Sequence, residues 1–176
     1  SAIKGAGTVI DVSTGELMAL VSLPDFNPNH IENLPHEAQF NHATLGLYEP
    51  GSTFKVLTFA MALDYGAITL DKTFDATRPL RVDRFIIRDF KPQNRWLSVP
   101  EIFIHSSNIG AALIGREVGS KRQRAFLERM GMLRQPRFEF AEVGKPSYPN
   151  SWSEVSTDTI SYGYGISVSQ LQLASA

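Results

Sequence analysis

The sequence predicts a mixed α/β chain of the α+β kind, a β-hairpin followed by a body of helices. Three observations predict it. Two short apolar runs, 8–12 and 17–23, face each other across Ser13-Thr14-Gly15, a turn composition. Three stretches, 52–64, 109–118 and 120–130, carry apolar residues at helical spacing, and each runs into a glycine: Gly66, Gly119 and Gly131. With 176 residues and 43% hydrophobic content the chain can bury one core, so 1–176 is expected to be a single domain.

The elements follow in order. After the hairpin, 24–35 reads as loop, punctuated by Pro24, Pro28 and Pro35. Residues 37–48 read as partly helical. Pro50 and Gly51 break what precedes them, and a helix over 52–64 is expected to bury Phe54, Leu57 and Met61, with Val56 and Ala60 beside them. Residues 67–97 look irregular, with a small hairpin around 85–89. Ser98-Val99-Pro100-Glu101 is a capping-box pattern that opens a short helix. Helix 109–118 closes on Gly119, and helix 120–130 takes Ser120 as its cap and Gly131 as its stop. Residues 134–158 read as loop, with Pro136, Pro146 and Pro149, and Ser167-x-x-Gln170 opens a last helix.

Composition excludes more than it assigns. A net charge of −1 argues against nucleic acid as the main partner. Cysteine is absent, which suits an oxidising compartment without requiring one. No apolar run approaches the ~20 residues needed to cross a bilayer. His30, His36 and His42 recur every six residues, neither a helical face nor a usual zinc spacing, so no metal is expected. Gly5-Ala6-Gly7 lacks the third glycine and the preceding strand of a dinucleotide loop, and no cofactor is expected. Lys121, Arg122 and Arg124 read as a solvated basic face.

The chemistry is concentrated in Glu49-Pro50-Gly51-Ser52-Thr53-Phe54-Lys55. Ser52 falls in the first turn of its helix and Lys55 three residues on, so the side chains share a face. A serine hydroxyl is a poor nucleophile until a base takes its proton, and a lysine whose pKa is lowered can be that base. The unpaired N–H groups of a first turn favour developing negative charge. Alone the pattern is weak, and the commoner reading is a solvated helix start with an exposed lysine. Ser1-Ala2-Ile3-Lys4 matches it too, ahead of a strand where the side chains would not converge.

A second element raises its weight. In His105-Ser106-Ser107-Asn108-Ile109-Gly110, Ser106 and Asn108 fall on the short connection between two helices and can both point into a cleft. A hydroxyl there can relay a proton, and an amide can hold a substrate carbonyl or the lysine. The competing reading is that Ser106 or Ser107 simply caps the next helix.

Ser-x-x-Lys at a helix start, followed some fifty residues later by Ser-x-Asn between two helices, resembles two of the three signatures of penicillin-binding proteins and serine β-lactamases. The stretches 7–22, 24–29 and 161–174 resemble the family's opening hairpin, the loop after it and the segment before its third signature. In detail the chain is most similar to the class B, division-specific (septal) peptidoglycan transpeptidases of Gram-negative bacteria; elongation-specific relatives usually carry Asp where Asn108 stands. The third signature, Lys-Thr/Ser-Gly, does not occur in the sequence; Lys145-Pro146-Ser147 is not one. The expectation is therefore a C-terminally incomplete transpeptidase fold, its helical part and first hairpin present and the later strands of the antiparallel sheet missing.

The resemblance implies a serine acyl-enzyme mechanism on peptidoglycan stem peptides ending in D-alanyl-D-alanine, with β-lactams as mimics. It assigns Ser52 as nucleophile, Lys55 as base, Ser106 as proton relay and Asn108 as the group holding the substrate amide. Tyr164 and Gly165, in a run read either as a plain glycine-rich turn or as backbone beside the cleft, are expected to join Ser52 and Asn108 in substrate binding. It also implies division-machinery partners and a place at the periplasmic face of the inner membrane, through an anchor this sequence does not contain. Two other classes stay open: a β-lactam sensor or hydrolase, and a non-catalytic folding or interaction module, which the absent third signature favours for this chain though not for its parent, so that the chain by itself is expected to be weakly active or inactive.

Overall fold

A computed structural model describes residues 4–32, 34–138 and 142–176. Among them lie eight strands: β1 (Gly5–Ile10), β2 (Leu17–Leu23), β3 (Leu47–Tyr48), β4 (Thr73–Asp75), β5 (Leu80–Val82), β6 (Phe85–Ile87), β7 (Trp96–Ser98) and β8 (Val168–Ser169). Six α-helices accompany them: α1 (Lys55–Asp64), α2 (Val99–Ile104), α3 (Asn108–Val118), α4 (Ser120–Arg129), α5 (Glu154–Ile160) and α6 (Gln170–Ser175). Short 3-10 turns occupy His36–Gln39 and Gly51–Phe54. The chain divides into two compact units.

One unit comprises the chain up to Tyr48, Met130–Ser147 and Ser167–Ala176. Its hairpin pairs β1 with β2 antiparallel, Gly5 opposite Leu23, with a bulge between Val9 and Ile10. The first strand thus starts earlier and ends earlier than 8–12. The cause is Asp11, whose carboxylate accepts from the N–H groups of Ser13 (2.7 Å) and Thr14 (3.2 Å) and turns the chain before Val12 can pair. Helix α6 packs on β1. Its cap is Ser169, whose hydroxyl accepts from the Gln172 N–H at 3.1 Å, so the expected Ser167 start lies two residues too early. Ser167 instead bridges to Ser147. Buried Gln172 donates to the carbonyls of Gly131 (2.7 Å) and Arg134 (3.0 Å), tying α6 to the turn behind α4. Residues 37–48 contain one 3-10 turn followed by β3, which pairs with β8.

The other unit, Glu49–Arg129 with Tyr148–Ile166, is mainly helical. Helix α3 is its centre, packed by α1, α2, α4 and α5. Ile102, Ile109, Ile114, Leu127 and Ile160 are all within 2% exposure of full burial, with Phe54 and Met61 beside them from the nucleophile segment. Burial of such side chains is worth about 1.5–3 kcal/mol each, the main source of this unit's cohesion. The expected 52–64 helix is really a 3-10 turn, Gly51–Phe54, feeding α1. Its buried side holds Phe54, Leu57 and Met61, as expected, but Val56 is 55% exposed and Ala60 is exposed; Lys55, Thr58, Phe59 and Ala62 are buried instead. The 3-10 entry rotates the apolar face relative to a continuous α-helix.

Residues 67–97 are more regular than expected: β4 pairs with β7 and β5 with β6, the second pair supplying the anticipated small hairpin. The capping box is present, with the Glu101 carboxylate accepting from the Ser98 N–H at 2.8 Å. Ser120 is the first helical residue of α4 rather than its cap, since the Gly119 carbonyl accepts from the Gln123 N–H. The loop expected over 134–158 ends in a helix: Ser153 caps α5 by accepting from the Ser156 N–H at 3.1 Å.

Candidate active site

The site is assembled within the helical unit. Pro50 and Gly51 turn the chain so that the 3-10 turn presents Ser52 and stacks Lys55 above it, since side chains three apart eclipse in 3-10 geometry. From the other side, the α2–α3 connection folds back. Ser106 sits at φ 53, a left-handed conformation unusual for a residue with a Cβ, and this kink swings its hydroxyl and its carbonyl toward Lys55.

Lys55 is the hub. Its side chain is 2% exposed. Nζ lies 3.2 Å from Ser52 Oγ, 3.0 Å from Ser106 Oγ, 2.7 Å from Asn108 Oδ1 and 2.6 Å from the Ser106 carbonyl oxygen. An ammonium has three N–H bonds for these four oxygens. The neutral amine has two, enough for the Ser106 carbonyl and Asn108 Oδ1, which leaves a lone pair to accept a hydroxyl proton. The surroundings shift the balance toward that form: burial lowers the Lys55 pKa from 10.5 to about 8, against the opposing charge of Asp89.

Asp89 escaped the sequence reading. Its Oδ1 accepts from the N–H groups of Asn108 (2.6 Å) and Ile109 (3.0 Å), and its Oδ2 from the Ser107 hydroxyl (2.8 Å). The adjacent Arg88 carbonyl accepts from Asn108 Nδ2 at 3.0 Å, which fixes Oδ1 of that amide toward Lys55. Ser107 caps α3, its hydroxyl accepting from the Gly110 N–H at 2.9 Å. The capping alternative thus holds for Ser107, whereas Ser106 is left to face the lysine. No spacing rule links residue 89 to 107–109; only the folded β5–β6 hairpin brings them together.

Glu49 was missed likewise. Its carboxylate accepts from the Gly165 N–H at 2.8 Å, while the Gly51 N–H donates to the Gly163 carbonyl at 3.0 Å. The run 162–165 is therefore locked to the turn carrying Ser52. An open cleft of about 660 Å³ lies in front of it, lined by Ser52, Arg88, Asp89, Phe90, Lys91, His105, Ser106, Asn108 and Tyr164. Five of the expected site residues, Ser52, Lys55, Ser106, Asn108 and Tyr164, converge here; Gly165 lies behind Tyr164 with its N–H turned to Glu49. His42 Nδ1 lies 2.8 Å from the Tyr48 hydroxyl.

A buried lysine shared among two serines and an asparagine, on a helical body of this kind, defines a class of serine acyl-transfer proteins. The chain belongs to the penicillin-binding protein transpeptidase domain family, matched over residues 5–176. It is 36% identical over 174 residues to a probable peptidoglycan D,D-transpeptidase FtsI of Caulobacter vibrioides, covering 98% of this chain and 30% of the relative. To the peptidoglycan D,D-transpeptidase FtsI of Escherichia coli it is 30% identical over 173 residues, 97% of this chain and 29% of the relative. The apo transpeptidase domain of Burkholderia pseudomallei penicillin-binding protein 3 superposes with a TM-score of 0.82 at 29% identity, covering 97% of this chain and 48% of that one. The class B resemblance and the transpeptidase fold expected from the sequence are both met. The chain spans about three tenths of the length of the curated relatives it matches.

Proposed function

We propose that this chain carries the nucleophile half of a peptidoglycan D,D-transpeptidase site, acting on stem peptides that end in D-alanyl-D-alanine and acylated by β-lactams. One observation carries the reading: a buried lysine amine within hydrogen-bond reach of Ser52, Ser106 and Asn108 at once.

The steps follow from the geometry. Ser52 Oγ attacks the carbonyl carbon of the terminal D-Ala–D-Ala bond, and its proton passes to the neutral Lys55 amine. The Ser52 backbone N–H, in the first turn, donates to the developing oxyanion; one such donor is worth about 10²–10³ in rate. Ser106, 3.0 Å from Nζ, hands a proton to the departing D-alanine nitrogen as the C–N bond breaks. Asn108, held by Lys55 and by the Arg88 carbonyl, positions the substrate amide. Tyr164, half exposed on the cleft wall, borders the bound acyl chain, with Gly165 behind it held by Glu49. An amine from a neighbouring stem peptide then attacks the ester carbonyl, releases Ser52 and leaves a cross-link.

We place this activity in septal wall synthesis at the periplasmic face of the inner membrane, together with division-machinery proteins, on the strength of the FtsI relatives. Among the described residues no helix is long and apolar enough to cross a membrane. The test is acylation by a fluorescent penicillin followed by mass mapping. A single adduct on Ser52 supports the reading; no adduct, or one elsewhere, overturns it.

A further inference from the structure

We propose that Asp89 is a positioning residue of this site, clamping the Ser106–Asn108 turn so that the Ser106 hydroxyl and the Asn108 amide meet Lys55, and holding a negative charge behind the lysine.

Ser106 at φ 53 is a residue with a Cβ in the left-handed region, a strained conformation that persists only where neighbours over-determine it. The Ser106 N–H donates to the Phe103 carbonyl at 3.1 Å and the Ser107 N–H to the Ile102 carbonyl at 2.9 Å, which ties the turn to α2. On its other side the turn lies within hydrogen-bond reach of Lys55 Nζ, through the Ser106 carbonyl, Ser106 Oγ and Asn108 Oδ1, and it is held by residues 88 and 89: the Asn108 side chain on the Arg88 carbonyl, and Ser107 Oγ, Asn108 N and Ile109 N on the Asp89 carboxylate. A carboxylate on the first N–H groups of α3 is also favoured by the helix dipole. The clamp is asymmetric in chemistry: Asp89 accepts three hydrogen bonds and donates none, a pattern an amide cannot reproduce.

The charge matters as well. Of the charged or titratable groups lining the cleft, Arg88, Lys91 and His105 are basic, Tyr164 is a phenol, and Asp89 is the one carboxylate. Burial disfavours the Lys55 ammonium, and Asp89 is the group that opposes this. The clamp therefore joins two functions in one carboxylate: it orients the partners of Lys55 and it keeps the lysine protonatable between turnovers.

The inference deepens the acyl-transfer reading and rests on it, so its test includes a readout that needs no reaction. Lysine labelled with ¹³C at Cε reports the Lys55 titration by NMR, and amide exchange reports the turn. In Asp89→Asn we expect the Lys55 midpoint to move below about 8, exchange at Asn108 and Ile109 to accelerate, and the plateau rate of penicillin acylation to fall on the order of 10-fold. Wild-type midpoint or wild-type exchange in a variant with native circular dichroism overturns the proposal. If Asp89→Asn does not fold, Ser107→Ala is read in its place. It removes one of the three hydrogen bonds and keeps the charge, so faster exchange at Asn108 with an unmoved Lys55 midpoint is expected; unchanged exchange overturns the clamp. Should the wild-type chain resist acylation while the Asp89→Asn midpoint shifts as stated, the acyl-transfer reading fails and the positioning role stands.

Discussion

Gly163 approaches the backbone of Gly51 so closely that a Cβ on residue 163 would lie 2.0 Å from the Gly51 carbonyl oxygen. The contact is part of the site's construction, because Gly51 opens the turn that carries Ser52. Gly163 is also at φ 83, where a side chain is strained in any case. Gly163→Ala combines both effects, and backbone cannot swing aside as a side chain tip would. We expect a loss of about 2–4 kcal/mol in urea unfolding, the sum of a left-handed alanine and an overpacked contact. Gly15→Ala is the control: φ 78 with nothing near the added carbon, so only the conformational term of about 1 kcal/mol remains. Equal losses at the two positions would mean that the Gly51 contact gives way freely.

Acylation is expected on Ser52 alone. Four serines lie in or near the motif elements, but Ser107 Oγ is committed between Asp89 and the Gly110 N–H, and Ser106 Oγ is the relay on the far side of Lys55. Ser1, of the other Ser-x-x-Lys, falls outside the described residues. Peptide mapping of a penicilloyl adduct checks this, and Ser52→Ala should abolish the adduct with the circular dichroism unchanged.

Lys55 should impose its own pH dependence. With a folded pKa of about 8, the neutral amine is the minority form at pH 7. Acylation should rise about tenfold per pH unit up to that point and level above it. Lys55→Ala should lower the plateau by at least ~10², the low end for a positioned general base. Stability carries the same sign. The unfolded lysine titrates near 10.5 and the folded one near 8, so between those values the unfolded chain binds more protons. The Lys55 contribution to folding stability therefore increases as pH rises from about 8 to 10.5, and is least favourable below 8. Urea unfolding across this window should show wild type gaining stability relative to Lys55→Met as pH rises.

How much of this was legible in the sequence depends on distance along the chain. Ser52 and Lys55 are three residues apart, and local periodicity alone places them together. Ser106 and Asn108 were legible because a capping box and a helical pattern bracket them. Meeting Lys55 from 51 and 53 residues away was not a property of pattern, and rested on the family resemblance. Asp89 and Glu49 went unseen because their partners, the Ser107 hydroxyl apart, are backbone N–H groups, which every residue but proline owns. The α5 helix was missed because seven residues opened by a serine look like loop until Asp158 and Ile160 are buried against α3. The 3-10 start of the nucleophile segment was hidden for a similar reason: propensity does not separate a 3-10 turn from the first turn of an α-helix.

Two of the ion pairs that join distant segments of the helical unit should differ sharply in worth. Arg129 and Asp64 meet at 2.6 Å, but their side chains are 59% and 54% exposed. Water and salt screen such a pair, and Arg129→Ala should cost no more than about 1 kcal/mol. Arg116 grips Asp158 with two parallel hydrogen bonds, at 2.8 and 2.7 Å, and Asp158 is fully buried. Arg116→Ala leaves that carboxylate without its partner in the interior, where a lone charge is far costlier than a lost contact. About 3–5 kcal/mol is expected, read from urea unfolding at neutral pH. A deficit no larger than that of Arg129→Ala would mean that Asp158 finds another donor when Arg116 is removed.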